Sequence, residues 1–167
     1  MHNELTKKDL ELMRQELDYR RITLRPQLLE AVKVARAFGD LSENFEYKAA
    51  KQEKNRNESR IRFLENMIKT AVVVENAAAP DAAGLFDLIT VYLPEDDEEE
   101  QYRVVTTVRQ DALHGLISKE SPVGKALLGC RVGDTLHIET PGGYGYDMVV
   151  RAIEKGGDDG SIPLNRY

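Results

Sequence analysis

The sequence is poor in the residues that build disulfides, thiol-based metal sites and membrane spans. It has one cysteine, Cys130, and no tryptophan. A single cysteine excludes an intramolecular disulfide and a zinc site made of several cysteines, and its apolar neighbours Leu127 and Leu128 favour a buried thiol. No apolar run approaches the ~20 residues of a membrane span, and none follows the first basic residues as in a signal peptide. We therefore expect a soluble, cytoplasmic protein.

A strongly basic balance is also absent. The chain carries 23 Lys and Arg against 29 Asp and Glu, a formal net charge of -6. Residues 1–75 hold 15 basic and 13 acidic residues, a net charge of +2, whereas residues 76–167 hold 8 and 16, a net charge of -8. A protein that binds duplex DNA needs a basic face that displaces counterions from phosphates. The balance argues against that class and indicates two halves with different partners.

The first helical run extends from Thr6, paired with Asp9 as a capping box, to about Phe38. Its apolar residues recur in steps of three, four or seven, at Leu10, Met13, Leu17, Leu24, Leu28, Ala31, Ala35 and Phe38. Arg20 or Arg21 interrupts this seam. Pro26 removes a backbone hydrogen bond, so we expect the helix to kink or loosen near residues 22–26.

The second helical run extends from Ser42 to about Thr70. Its seam consists of Tyr47, Ala50, Lys54, Asn57, Ile61, Leu64 and Ile68. Lys54 and Asn57 are polar at core positions, so we expect looser packing in the middle. Because only a short turn joins the two runs, they must be antiparallel neighbours, which predicts a helical hairpin, a two-stranded coiled coil.

Beyond residue 75 the apolar period changes from that of helices to that of strands. Residues 75–84 are mostly small and include one proline and one glycine, which is typical of a linker. Alternating segments predict four strands, and Ser121 followed by Pro122 predicts the start of a short helix that ends at Gly129. We predict an α+β protein with a coiled-coil domain at 1–75, a linker at 76–84, a small antiparallel-sheet domain at 85–155 and a loose tail at 156–167.

Motifs of a self-contained catalyst are missing. No glycine-rich phosphate loop precedes a helix, and no serine or cysteine nucleophile motif occurs. The three histidines fit no metal-ligand spacing. The acidic run at residues 94–100 fixes no coordination geometry, and we expect it to be a solvated hairpin loop.

The predicted turn Gly39-Asp40-Leu41-Ser42 places two carboxylates, Asp40 and Glu43, at the end of the hairpin. Residues at i and i+3 can face one side of a turn and the following helix. One interpretation is a capping box, with Asp40 at the N-cap and Glu43 at N3. The other is a pair of ligands for Mg²⁺, which binds hard oxygens and keeps several waters. The spacing is compatible with both.

Basic residues crowd the same end of the hairpin: Lys33, Arg36, Lys48, Lys51 and Lys54. They are typical either of a solvated helix face with ion pairs or of a path for a single-stranded nucleic acid. Phe38, Phe45 and Tyr47 could stack on bases, although Tyr47 lies on the seam and is expected to be part of the core.

The residues around the turn resemble the Gre transcript-cleavage factors. The stretch GDLSENFEY, preceded by ARAF and followed by KAA, is similar to the family motif GDL-x-EN-x-EY. Phe38 stands where family members often have His, and Phe45 where Ala is common. The resemblance covers about residues 6–155 and is closer to the GreA branch than to the GreB branch. Its further motifs are Glu16-Leu17-Asp18, Arg25-Pro26, Ser59-Arg60-Ile61, Ile117-Ser118-Lys119-Glu120-Ser121-Pro122, Ala126-Leu127-Leu128-Gly129 and Thr140-Pro141-Gly142-Gly143.

The resemblance implies a fold, a partner and residue roles. The C-terminal domain would be FKBP-like and dock on bacterial RNA polymerase, while the coiled coil enters the secondary channel. Asp40 and Glu43 would be the catalytic acids, sharing with the polymerase a Mg²⁺ that the isolated protein does not bind. The protein would be a monomeric accessory factor, not an enzyme, acting on the nascent RNA 3′ end. The other implied roles are tip support by Ser42, Asn44 and Tyr47, RNA steering by Arg36, Lys48 and Lys51, and polymerase docking by Glu120, Ser121 and Pro122.

Two other functions remain open at this stage. A related factor that binds the same channel and inhibits the polymerase is the first, and the intact tip acids argue against it. A peptidyl-prolyl isomerase is the second, because the implied domain is FKBP-like. Isomerase pockets of that fold are lined by aromatics, whereas residues 76–167 contain no tryptophan and one phenylalanine, Phe86.

Overall fold

The computed structural model describes residues 3–39 and 43–166. Of these, residues 10–39 and 43–72 form one compact unit, the hairpin unit, and residues 3–9 and 73–166 form a second, the sheet unit. The predictions on Asp40 and Ser42 lie outside the described residues. The predicted α+β class is confirmed, with a helical hairpin followed by a domain built on a mixed sheet.

The first helical run is divided into α1 (Lys7–Asp18), a π-helical segment (Tyr19–Leu24) and α2 (Arg25–Arg36). The predicted capping box starts α1, since the Asp9 N–H donates to Thr6 Oγ1 at 3.1 Å and the Thr6 N–H to Asp9 Oδ2 at 2.8 Å. Pro26 lies in the first turn of α2 and has no N–H to donate to the turn before it. The helix loosens just before the proline, as predicted, and it does so by taking π geometry.

The second helical run is α3 (Phe45–Thr70), which begins three residues later than the predicted Ser42. Side-chain pairs join Glu16 to Arg60, Arg20 to Asn57 and Arg36 to Tyr47, so one residue number falls as the other rises and the helices are antiparallel. The seam is only partly as predicted, because Ala31 and Phe38 are exposed and Arg60 and Met67 are buried. The buried residues of α3 are Asn57, Arg60, Ile61, Leu64 and Met67.

The sheet unit contains a five-stranded sheet of order β5-β4-β3-β7-β6. Its strands are β3 (Leu88–Leu93), β4 (Glu98–Val105), β5 (Leu116–Ser118), β6 (Thr135–Glu139) and β7 (Gly145–Glu154), and two short strands, β1 (Glu4–Leu5) and β2 (Val72–Val73), pair separately. The sheet was predicted to be antiparallel, but it is mixed, because β4 and β5 run parallel while the other pairs are antiparallel. The sequence predicted four of the five strands; β5 has three residues, too few for alternation to be visible.

The acidic run was expected to be a loop throughout, but its second half belongs to β4. Glu98, Glu99 and Glu100 pair with Leu93, Tyr92 and Val91 of β3. Strand pairing uses the backbone alone, so exposed acidic side chains tolerate it.

The core of the sheet unit lies between the sheet and α4 (Pro122–Leu127). As predicted, Ser121 is the N-cap of α4, with its hydroxyl accepting from the Gly124 N–H at 3.0 Å. A Cβ at Gly124 would lie 2.0 Å from the Ser118 carbonyl oxygen, so only glycine fits here. Cys130 is buried as predicted, and burial raises the pKa of its thiol to about 11, which leaves it unreactive.

The predicted linker and tail are both attached to the sheet unit. Ala82 and Ala83 are buried, and Ala83 exchanges backbone hydrogen bonds with Cys130 and Gly129. Residues 156–166 form no helix or strand, yet the Asn165 N–H donates to Val108 O at 2.8 Å. The tail therefore differs from the expected loose segment, and the physical reason is Arg109.

Arg109 is fully buried and binds two segments that are distant from it in sequence, the start of α1 and the C-terminal tail. Its guanidinium donates to Asp9 Oδ1 at 2.8 Å, to Asp158 at 2.6 and 2.7 Å, and to the Ile162 carbonyl oxygen at 2.9 Å. A buried cation is costly unless it is paired in this way. The start of α1 and the C-terminal tail are consequently parts of the sheet unit.

Candidate functional site at the tip of the hairpin

The tip connects the end of α2 with the start of α3. Its described residues are Ala37, Phe38 and Gly39 on one side and Glu43 and Asn44 on the other. Gly39 has a φ of 125° and would have nothing within 4 Å of an added Cβ, so its backbone conformation rather than close packing requires glycine. The chain thus turns away from α2 at Gly39.

Asn44 connects the ends of both helices. Its amide group donates to Ala35 O, in the last turn of α2, at 2.7 Å. Its side-chain oxygen accepts from the Tyr47 N–H at 3.0 Å, which makes Asn44 the N-cap of α3. One side chain therefore satisfies a carbonyl at the end of one helix and an N–H at the start of the next.

Glu43 does not take the N3 position of the proposed capping box, because the N-cap of α3 is Asn44; the Asp40 half of that interpretation lies outside the described residues. Glu43 precedes the cap, and its side chain is exposed. A carboxylate at a helix N-terminus is favoured by the partial positive charge of the unpaired N–H groups. Glu43 is therefore free of the N3 role that the sequence offered as an alternative to metal binding.

Arg36 and Tyr47 form a contact between the two helices directly below the tip. An Arg36 nitrogen donates to the Tyr47 hydroxyl at 3.2 Å, and the guanidinium carbon lies 5.3 Å from the ring centroid. This hydrogen bond lowers the pKa of Tyr47 from its usual value. Tyr47 was expected to be core, but it is only half-buried, and its hydroxyl accepts a hydrogen bond from Arg36 of the facing helix.

Exposed cations and aromatic rings surround the tip. Phe38 and Phe45 are 73% and 79% exposed, and Lys48 Nζ lies 5.5 Å from the Phe45 ring centroid. Lys33, Arg36, Lys48 and Lys51 are exposed, whereas Lys54 is half-buried. Exposed rings interleaved with cations are the features that single-stranded nucleic acids use for stacking and backbone contacts.

The three residues predicted to dock on a polymerase lie at the start of α4, in the sheet unit. The Ser121 hydroxyl donates to Ser118 O at 2.7 Å in addition to its capping role, and the Glu120 carboxylate accepts from the Thr107 hydroxyl. Pro122 is exposed. These contacts hold the turn before α4 in one conformation and leave the proline ring at the surface.

The described residues contain no group of three or more His, Cys, Asp or Glu side chains arranged to hold a metal ion. None of the helices within residues 3–39 and 43–166 is long and apolar enough to cross a membrane. Two carboxylates supply only part of the shell of six oxygens that Mg²⁺ requires.

Two family models together match nearly the whole chain. A model described as Transcription elongation factor, N-terminal, matches residues 3–73, and one described as Transcription elongation factor, GreA/GreB, C-term, matches residues 79–155. The chain belongs to the GreA/GreB family of transcription elongation factors. The boundary between the two models lies close to the start of the sheet unit at residue 73.

Curated GreA/GreB relatives cover most of the chain. A protein named Transcription elongation factor GreA from Geobacillus kaustophilus is 45% identical over 150 residues, which are 89% of this chain and 93% of the relative. The protein of the same name from Streptococcus pneumoniae is 41% identical over 152 residues, 90% of this chain and 94% of the relative. The crystal structure of GreA factor homolog 1 (Gfh1) of Thermus thermophilus is 34% identical over 91% of this chain and 98% of that one, with a TM-score of 0.39.

In this member of the GreA/GreB family, the sequence analysis predicted that Asn44 supports the tip. It did not predict that the Asn44 side chain bonds to the end of α2 and also caps α3. The sequence does carry a signal, because asparagine is among the preferred N-cap residues and an apolar Phe45 follows it. The capping box proposed for Asp40 and Glu43 placed the N-cap four residues earlier, so Asn44 was not considered as the N-cap. The contact of Arg36 with Tyr47 had no signal in the sequence at all.

Proposed function

We propose that this GreA/GreB-family protein binds backtracked bacterial RNA polymerase and stimulates the polymerase's own endonucleolytic cleavage of the RNA 3′ segment. The hairpin enters the secondary channel as a monomeric factor. Asp40 and Glu43 lend carboxylate oxygens to a Mg²⁺ that the polymerase also holds. Arrested complexes then resume elongation from the new 3′ end.

The observation that carries this proposal is the exposed Glu43 beside a cap that locks the two helix ends together. A carboxylate that completes a metal site in another protein must be accessible and must also be held in a defined position. Asn44 supplies the second condition through its bonds to Ala35 and Tyr47. The sequence supplies Asp40 three residues before Glu43.

The chemistry divides between the two proteins. A second Mg²⁺ supports the attacking water and the charge that develops on the phosphate during phosphoryl transfer. The factor contributes its two carboxylates to that ion and no general base of its own. Its activity therefore depends on the polymerase, which supplies the remaining ligands.

The cations near the tip steer the RNA backbone in this proposal. Lys48 and Lys51 are exposed and can follow a phosphate chain, while Arg36 keeps an exposed charge although it also binds Tyr47. Docking uses the start of α4, where Pro122 offers an apolar contact and Glu120 is held by Thr107.

The test uses halted polymerase complexes with labelled RNA, Mg²⁺ and the purified factor. We expect the Asp40→Asn, Glu43→Gln double variant to lose cleavage stimulation and to retain polymerase binding, because only the metal ligands change. Glu46→Gln is the matched control, since Glu46 is the next exposed acid along α3. Undiminished cleavage with the double variant would contradict the proposal. Polymerase binding and slower elongation without cleavage by the wild type would identify an inhibitor instead.

A further inference from the structure

The middle of the hairpin holds a buried amide, Asn57, on the face of α3 that packs against the first helical run. Asn57 is 3% exposed, and the next seam residues, Ile61 and Leu64, are also buried. A buried amide costs free energy unless its hydrogen bonds are made. Asn57 therefore needs a specific partner on the facing helix.

That partner is Arg20 of the π-helical segment, and the two residues bond in both directions. The Asn57 Nδ2 donates to Arg20 O at 3.3 Å, and Arg20 Nη1 donates to Asn57 Oδ1 at 2.9 Å. Arg20 O also accepts from the Arg25 N–H, five residues ahead, which is the hydrogen bond of a π-helix. The carbonyl that Asn57 recognises thus lies in the one wide turn of the first helical run.

The pairing continues into a second pair, formed by the buried Arg60 and the half-buried Glu16. Arg60 is 7% exposed and donates to both oxygens of Glu16, at 3.1 and 3.0 Å, and Arg20 Nε donates to Glu16 at 3.0 Å. Burial raises the pKa of Glu16, but the hydrogen bonds from Arg60 and Arg20 prevail and keep it below its usual value. If α3 slipped along the facing helices by one residue or one turn, these buried groups would lose their partners.

We infer that Asn57 is a positioning residue that fixes the axial register of the hairpin and thereby the place of the tip acids. The contacts at the tip need the same register, because Asn44 must meet the carbonyl of Ala35. Asn57 lies about 20 Å along α3 from Asn44 at ~1.5 Å per residue. A single buried asparagine is known to specify register in coiled coils at a cost in stability. The effect on cleavage rests on the proposed function, whereas the effect on register does not.

The experiment compares Asn57→Leu with Asn55→Leu in the full-length protein. Asn55 is exposed on the same helix, so the control makes the same chemical change without touching the facing helix. Nitroxide labels on Gln27→Cys and Gln52→Cys, both exposed, report the distance between α2 and α3 by pulsed electron resonance. Cys130 is buried and stays unlabelled. RNA cleavage in halted complexes is measured on the same variants without labels.

For Asn57→Leu we expect retained helix content, a melting temperature equal to or above that of the wild type, and a shifted or second distance population. Cleavage should fall at least about tenfold, because a misplacement of ~1 Å can cost ~10²-fold in rate. A merely stabilising role predicts the opposite pair of results, a lower melting temperature with a single unchanged distance.

A second variant, Asn57→Leu with Arg20→Met, removes both partners and avoids leaving the arginine unpaired. A single wild-type distance in the folded variants overturns the inference, and so does an altered distance with unchanged cleavage. Loss of helix in both variants would also overturn it, by reducing Asn57 to a stabilising residue. If the wild type itself stimulates no cleavage, the proposed function fails and the distance measurement still decides the register.

Discussion

The hairpin unit and the sheet unit hold their shapes by different means. In the sheet unit, buried aliphatic residues such as Val91, Val104, Leu127 and Met148 form one continuous cluster. In the described part of the hairpin, buried positions include Asn57 and Arg60, and Ala35 is the one fully buried residue of α2. Apolar packing tolerates many arrangements of similar volume, whereas paired polar groups demand one. The hairpin thus combines apolar packing, at residues such as Met13, Ile61 and Leu64, with buried polar groups whose partners match in one register.

The sheet unit also contains a buried charge, Arg109, but this charge joins distant parts of the chain and does not align two helices. Arg109 joins Asp9, at the start of α1, to Asp158 in the tail. Asp9 and Arg109 are 100 positions apart in the sequence. A single side chain therefore ties both termini of the described chain to the middle of the domain.

The largest effect should come from breaking this connection. Arg109→Met leaves the carboxylates of Asp9 and Asp158 close together without their cation, and we expect the free energy of unfolding of the sheet unit to fall by about 3–5 kcal/mol. Urea unfolding followed by near-ultraviolet circular dichroism measures it, because four of the described tyrosines lie in this unit.

Arg131→Met is the control for Arg109→Met. Arg131 also binds an aspartate, Asp81, but both side chains are mostly exposed, so little change in stability is expected. Equal unfolding curves for the wild type and Arg109→Met would show that the ion pairs of Arg109 with Asp9 and Asp158 contribute nothing to the stability of the fold.

Two buried methionines, one in each unit, test whether the sheet unit depends more on apolar packing than the hairpin unit does. Met148→Ala removes a fully buried side chain from the sheet core and should cost about 2–5 kcal/mol. Met67→Ala makes the same change in α3, where the side chain is 8% exposed, and should cost about 2 kcal/mol or less.

Far-ultraviolet circular dichroism, which helix dominates, follows the hairpin in this experiment, and near-ultraviolet dichroism follows the sheet unit. Each variant should affect the signal of its own unit more than the other. A larger loss for Met67→Ala than for Met148→Ala would contradict the view that the hairpin depends less on apolar packing.

Local signals predicted much of this fold correctly. The capping box of Thr6 and Asp9, the loosening before Pro26 and the Ser121-Pro122 start of α4 each involve residues within one or two turns of each other. Such neighbours interact whatever the rest of the chain does, so the sequence alone reveals them.

The features that the sequence did not predict depend on distant partners. The attachment of the tail needs Arg109, and the pairing of β5 needs β4, with which it runs parallel. At the site, two overlapping capping patterns competed, and the choice of Asn44 over Asp40 follows from its bond to Ala35 on the other helix. Contacts of this kind leave no periodicity to read.

The smallest expected effect concerns pH and the network in the middle of the hairpin. The pKa of Glu16 lies below its usual value in the folded protein, because the hydrogen bonds from Arg60 and Arg20 outweigh burial. A carboxyl group whose folded pKa is lowered stabilises the fold above its unfolded pKa and loses that contribution as the pH falls through the folded value. Stability should therefore decline from about pH 5 downward, and Glu16→Gln should flatten that decline while lowering stability at neutral pH.

Urea unfolding followed by far-ultraviolet dichroism at several pH values measures how the stability of the wild type and of Glu16→Gln depends on pH. Glu53→Gln, which removes an exposed ion pair with Arg56 on the same helix, should keep the wild-type slope. A Glu16→Gln protein with an undiminished slope would show that other carboxylates govern the acid sensitivity of the hairpin.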